Sequence, residues 1–107
     1  MGNVMQEGSC LRIYLSESDS IDGKPAVETI LQLCQQSGLS GVTVFRGIEG
    51  LGSHGMHSTS FLSISNQLPI VVEAIDSIEN IDSAILKMKP HLSGKLVATW
   101  PVSILRD

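Results

Sequence analysis

Apolar residues group in four segments of the chain that predict β-strands. The pattern is clearest over residues 10–16, where Leu11, Ile13 and Leu15 alternate with more polar side chains, as expected for a strand with one buried face. The other predicted strands are Gly41–Ile48, Leu68–Ile75 and Gly94–Leu105. In the last of these we expect a break or bend at Trp100-Pro101, because proline has no backbone N–H to donate to a neighbouring strand.

Two other segments carry apolar residues at helical spacing, and each predicts a helix with one buried face. The apolar positions are Val27, Ile30, Leu31 and Cys34 in the first, and Ile78, Ile81, Ile85 and Met88 in the second. Pro25 suits the first turn of the first helix, with Asp22 or Gly23 as its cap. Asp76 and Glu79, three residues apart, predict a capping box at the start of the second helix.

The order strand, helix, strand therefore occurs twice, which predicts an α+β fold of the ferredoxin-like type. Two such halves give a four-stranded antiparallel sheet with both helices on one face. We expect a single domain over residues 10–107 and a flexible N-terminus over residues 1–9. The strand at residues 69–75 is apolar on both of its faces, so we expect self-association to cover the face of the sheet that has no helices.

Composition and charge narrow the classes of function. The 107 residues are 42% hydrophobic and 17% charged, which is typical of a folded domain. The net charge is −4, and the seven Lys and Arg residues form no basic stripe, so nucleic-acid binding is not predicted. The sequence contains no apolar run of about 20 residues and no signal peptide. We therefore predict a cytoplasmic protein without direct membrane insertion.

Glycines are concentrated between the two predicted halves. Four of them fall within nine residues, at positions 47, 50, 52 and 55. The segment is either a flexible surface loop or a turn whose backbone N–H groups bind an anion. Residues 50–55 fit G-x-G-x-x-G, but no helix follows them to complete a dinucleotide site. Arg46 and Glu49 flank the start of this segment, either as a surface ion pair or with Arg46 facing an anionic ligand.

The same segment contains the candidates for metal binding and for catalysis. His54 and His57, with Met56 between them, could form part of a copper or divalent-metal site. The segment supplies no third Cys, Asp or His ligand. Arg46, Glu49 and His57 together could transfer a proton in a small enzyme. No catalytic constellation is identified in the sequence, so we predict a protein that is not an enzyme.

Several motifs together resemble the PII-like family catalogued as domain-of-unknown-function family 190. The most specific is the run from Arg46 to Gly52, which lies at a transition from strand to loop. The other matching segments are residues 11–14, 23–25, 41–45, 56–58 and 68–73, with Asp76 after the last. The resemblance implies a ferredoxin-like subunit that assembles into a homotrimer, as PII signalling proteins and CutA proteins do.

The resemblance also implies a regulatory or signalling function. A small anionic effector, such as an adenine nucleotide, would bind in clefts between subunits. The implied ligand-binding residues are Arg46, Gly47, Glu49, Gly50 and Gly52 of one subunit, facing Gly94 and Lys95 of another. Lys95 is either a phosphate contact or a surface lysine that ends a turn. The loop would present a surface to a target protein, for which a membrane transporter or channel is a candidate. The alternative implied by the CutA resemblance is a metal-binding module that uses His54 and His57.

Overall fold

The computed structural model of the protein describes residues 4–52, 55–58 and 68–106. Its elements in chain order are β1 (Val4–Ser16), β2 (Ser20–Ile21), β3 (Lys24–Pro25), α1 (Ala26–Gln36), β4 (Val42–Arg46), β5 (Glu49–Gly52), β6 (Gly55–Ser58), β7 (Pro69–Ser77), α2 (Ile78–Met88), a short 3₁₀ helix (Lys89–His91) and β8 (Leu96–Arg106). The main sheet has four strands in the order β4-β7-β1-β8, and every neighbouring pair is antiparallel. This arrangement confirms the predicted ferredoxin-like fold.

The face of the main sheet toward α1 and α2 carries the hydrophobic core. Ile30, Cys34, Ile81 and Met88 are all fully buried in it, as their helical spacing predicts. Ile78 is the exception, because it is 40% exposed at the start of α2. Each buried side chain of this size contributes about 1.5–3 kcal/mol through removal from water. Burial also raises the pKa of the Cys34 thiol, so this cysteine is a core residue in its neutral form.

The two long strands differ from the prediction. β1 begins at Val4 rather than at residue 10, and residues 4–9, which were expected to belong to a flexible N-terminus, pair with β8. β8 is continuous, and Pro101 lies opposite Ser9 within an unbroken register, so the predicted bend at Trp100-Pro101 is wrong. Because β8 is an edge strand, a residue without an N–H is tolerated there.

The first helix begins without the predicted cap. Pro25 is its N-cap residue, and no side chain accepts a hydrogen bond there. Asp22 and Gly23 have positive φ values of 53° and 81° and form the turn between β2 and β3 instead. The backbone N–H of Ala26 donates to the carbonyl of Asp19 at 2.8 Å, which ties the start of α1 to the segment after β1.

The second helix begins one residue later than the predicted capping box. Its N-cap is Ser77, whose hydroxyl accepts from the backbone N–H of Asn80 at 3.1 Å, so the Asp76–Glu79 prediction is wrong. Asp76 is instead a buried carboxylate that accepts from the backbone N–H groups of Ser40 and Ser77 at 3.1 and 2.7 Å. It also accepts from the side chains of Ser40 and Asn80. Burial alone would raise the pKa of Asp76, but these hydrogen bonds outweigh it and lower the pKa below its usual value.

The other face of the main sheet, which we call the open face, carries an ion pair among aromatic side chains. Arg12 on β1 donates to Glu73 on β7 at 2.8 Å, and this hydrogen bond raises the pKa of Arg12. The Arg12 guanidinium carbon lies 5.7 Å from the ring centre of Phe45 and 5.6 Å from that of Trp100. Phe45 and Trp100 are 46% and 40% exposed. The open face is therefore largely apolar, with a paired charge near its middle.

Candidate functional site

One end of the main sheet brings together several of the residues predicted from the sequence. β1 and β4 end there, and β7 and β8 begin there, because neighbouring strands are antiparallel. Arg46 and Gly47 lie at the end of β4, and Gly94 and Lys95 lie just before β8. The segment Glu17–Asp19, which follows β1, lies between these two groups. We call this end the site end of the sheet.

Arg46 is the last residue of β4 and forms an ion pair at the site end. Its Nη1 donates to Oε2 of Glu17. The two partners differ in accessibility, since the Arg46 side chain is 61% exposed and the Glu17 side chain only 14%. The guanidinium is therefore accessible from solvent, while the carboxylate is held against the protein. The partner of Arg46 is thus Glu17, where the sequence suggested Glu49.

Gly47 fixes the backbone immediately after Arg46. Its N–H donates to the carbonyl of Pro69 at 2.8 Å. A Cβ atom at position 47 would lie 2.6 Å from Cγ of Pro69, which is closer than two carbon atoms pack. The start of the glycine-rich segment is therefore held close to the beginning of β7, and only glycine fits without a shift of the proline ring.

The rest of the glycine-rich segment forms a two-stranded ribbon. Its register pairs Glu49 with Ser58, Gly50 with His57 and Gly52 with Gly55. The backbone is extended, so it is neither the flexible loop nor the alternating helical conformation of an anion-binding nest that the sequence suggested. The side chain of His57 and all of His54 lie outside the described part of the chain, so the metal pair stays a prediction. Among the residues that the structure describes, no group of three or more His, Cys, Asp and Glu could hold a metal ion.

Gly94 and Lys95 complete a tight turn before β8. The Lys95 N–H donates to the carbonyl of Leu92 at 2.9 Å, and Gly94 has a φ of 77°, which suits the third position of a type II turn. The Lys95 ammonium lies 3.8 Å from Oδ2 of Asp19, and its side chain is 19% exposed. The same Asp19 oxygen accepts from the backbone N–H of Ser16 at 2.9 Å. Lys95 is thus paired with an acid rather than fully solvated.

Sequence reasoning missed the two acids of the site end, Glu17 and Asp19. Each pairs with one of the two predicted cations, so the formal charges of these four side chains cancel. Arg46 and Lys95 belong to opposite edges of the sheet, and three strand spacings correspond to about 14 Å. A single phosphate cannot contact both cations of one chain. The sequence signal for the acids is their position directly after a predicted strand.

Two observations concern other parts of the molecule. A surface groove of about 340 Å³ lies at the opposite end of the sheet, and its lining includes Glu7, Ile78 and Ser103. It contains none of the predicted site residues. In the part of the chain that the structure describes, every helix is too short or too polar to span a membrane.

Comparison with known proteins identifies the family of the chain. The profile of DUF190, a family described as "Uncharacterized ACR", matches residues 8–104. The chain belongs to the DUF190 family. UPF0166 protein MJ1524 of Methanocaldococcus jannaschii is 33% identical over 84 residues, which is 78% of each chain. The UPF0166 protein of Aquifex aeolicus is 36% identical over 85 residues, or 78% of this chain and 81% of the relative.

Solved structures show that this DUF190 protein has a PII-like fold. CPII, a nitrogen regulatory PII-like protein from Thiomonas intermedia K12 bound to ADP, AMP and bicarbonate, superimposes with a TM-score of 0.73 at 18% identity. The match covers 94% of this chain and 91% of that of CPII. A PII-like signalling protein from Thermus thermophilus has a TM-score of 0.64 at 13% identity, over 95% of this chain and 91% of its own. Both the predicted family and the predicted fold are confirmed.

Proposed function

We propose that this DUF190 protein is a PII-like regulatory protein that binds a small anionic effector of the adenine nucleotide class at the site end of the sheet. The observation that carries the proposal is the position of Arg46 and Lys95, two cations at the same end of a PII-like fold. The fold neighbour CPII is itself bound to ADP and AMP. The proposed role is binding, and no bond is made or broken.

The proposed site is shared between subunits of a homotrimer. Within one chain, Arg46 and Lys95 are at opposite edges of the sheet, about 14 Å apart. In a ring of identical subunits, one edge of each sheet approaches the other edge of its neighbour. Arg46 of one subunit and Lys95 of the next then face the same cleft, and their two positive charges can bind one phosphate group.

The open face supports the assembly. Phe45, Ile75 and Trp100 are each at least 40% exposed on a sheet that has helices on its other side only. Apolar surface of this kind marks an interface more often than a solvated face. In the proposed trimer the open faces meet, and the paired charges of Arg12 and Glu73 enter the interface already neutralised.

The ribbon of β5 and β6 is the proposed surface for a target protein, with a membrane transporter or channel as the candidate class. It forms a sheet of its own and begins two residues after Gly47, which is anchored at the site end. A ligand that contacts Arg46 therefore acts on the backbone directly before the ribbon. This continuity connects effector binding to the surface that a partner would contact.

Calorimetric titration with ADP tests the proposal. Arg46→Ala and Lys95→Ala each remove one charge-assisted hydrogen bond, worth about 1.5–3 kcal/mol, and we expect ADP to bind at least tenfold more weakly to each. Lys87→Ala, an exposed position on α2, changes the charge equally and should leave the affinity unchanged. Native mass spectrometry of the same samples should show trimers. Failure of the native protein to bind ADP, AMP or pyrophosphate at millimolar concentration would refute the proposal.

A further inference from the structure

We infer that Glu17 is an internal competitor of the effector: its carboxylate occupies Arg46 until an incoming anion displaces it. The inference rests on the proposed function, because it concerns the same cation. It adds a residue that lowers the affinity of the site and that lies outside the glycine-rich segment. Glu17 is joined to Arg46 across 29 positions of sequence.

Glu17 is well placed for this role. Its backbone N–H donates to the carbonyl of Leu68 at 3.0 Å, which holds the residue beside the beginning of β7. Its side chain is 14% exposed, whereas that of Arg46 is 61% exposed. The carboxylate is therefore a fixed feature of the protein, and an anion from solvent can approach Arg46 from its open side.

The pairing of Glu17 is incomplete, which makes exchange easier. One carboxylate oxygen accepts from Arg46, but the other oxygen, Oε1, is buried and has no hydrogen-bond partner among the residues that the structure describes. A buried acceptor without a partner is costly compared with one in water. Displacement of Glu17 by a phosphate lets the carboxylate become hydrated, and this gain offsets part of the cost of breaking the ion pair.

Asp19 holds the second cation in a similar way, two residues further along. Its Oδ2 lies 3.8 Å from the Lys95 ammonium, but the same oxygen also accepts from the backbone N–H of Ser16. Replacement of Asp19 would therefore disturb the turn as well as the charge. Glu17, whose carboxylate accepts a hydrogen bond from Arg46 alone among the described residues, is the cleaner position for a test.

The test compares ADP affinity in the native protein and in Glu17→Gln by calorimetry. The substitution removes the negative charge and keeps the shape of the side chain. An ion pair that is accessible on one side is worth up to about 1 kcal/mol, so its removal should make ADP bind about fivefold more tightly. Glu79→Gln is the matched control, because Glu79 is exposed at the other end of the sheet and the change in net charge is the same. Its affinity for ADP should equal that of the native protein.

The possible outcomes separate this inference from the proposed function. If native protein binds ADP and Glu17→Gln binds equally or more weakly, Glu17 positions Arg46 or has no role, and the inference is wrong while the proposed function stands. Equal tightening in Glu79→Gln would assign the effect to net charge and overturn the inference too. If neither native protein nor Glu17→Gln binds ADP, both ideas fail. Should Glu17→Gln melt at a lower temperature, Glu17→Asp, whose shorter side chain cannot reach Arg46, should show the same tighter binding.

Discussion

The Asp76 carboxylate joins three parts of the fold, and its removal should cost a large fraction of the stability. It accepts four hydrogen bonds, two of them from the backbone N–H groups of Ser40 and Ser77. In Asp76→Ala both N–H groups lose their partner, and each such loss costs about 1–3 kcal/mol. Allowing for water that enters the space, we expect the free energy of unfolding to fall by about 3 kcal/mol, at the high end for one substitution.

The assay is urea denaturation followed by the fluorescence of Trp100, the single tryptophan of the chain, at one fixed protein concentration. The concentration must be fixed because the stability of an oligomer depends on it. A loss below about 1 kcal/mol for Asp76→Ala would refute the assignment of the carboxylate as a structural acceptor.

The pH dependence gives a second readout of the same carboxylate. The pKa of Asp76 is lowered in the folded state, so the folded protein holds the ionised form more tightly than the unfolded chain does. Its contribution to stability is fully present above the unfolded pKa of about 3.9 and is lost as the pH falls through the folded pKa below it. The difference in stability between native protein and Asp76→Asn should therefore be constant from pH 7 to 5 and shrink below pH 4. A difference that grows on acidification would contradict this.

Two further predictions concern the site end and the open face. Gly47→Ala places a methyl group against the Pro69 ring, and we expect a loss of about 1–3 kcal/mol in thermal or urea unfolding; an unchanged melting temperature would show that the contact relaxes freely. Arg12→Met leaves Glu73 unpaired on the open face, and burial of an uncompensated charge in an interface costs about 3–5 kcal/mol. Sedimentation should therefore show dissociated subunits at concentrations where the native protein is trimeric, and an unchanged trimer would exclude the open face as the interface.

The periodic parts of the fold could be predicted because their cause is local. Ile30 and Cys34, like Ile81 and Met88, repeat at helical spacing and lie in the core. Residues 4–9 carry no alternation, and they form a strand only because β8 pairs with them. Pro101 was expected to break a strand, but its effect depends on whether that strand is central or at an edge, which the local sequence does not encode.

The candidate site shows the same limit. Arg46, Gly47 and Lys95 could be selected from a family resemblance and from their positions at the ends of elements. The partners of the two cations could not, because Glu17 is 29 residues from Arg46 and Asp19 is more distant still from Lys95. Such pairs result from the meeting of strand ends in the folded sheet. The balance of charge at the site was therefore visible only in three dimensions.

The pairing of Val4 with Arg106 has a practical consequence for work on this protein. It places the two ends of the described chain side by side, at the end of the sheet opposite Arg46. The 13 residues of β1 separate them from the site end by about 40 Å. A fluorescent protein or an affinity tag attached at either terminus would leave the cleft open to solvent. Immobilisation through such a tag would present the same end of every molecule to an added effector or partner.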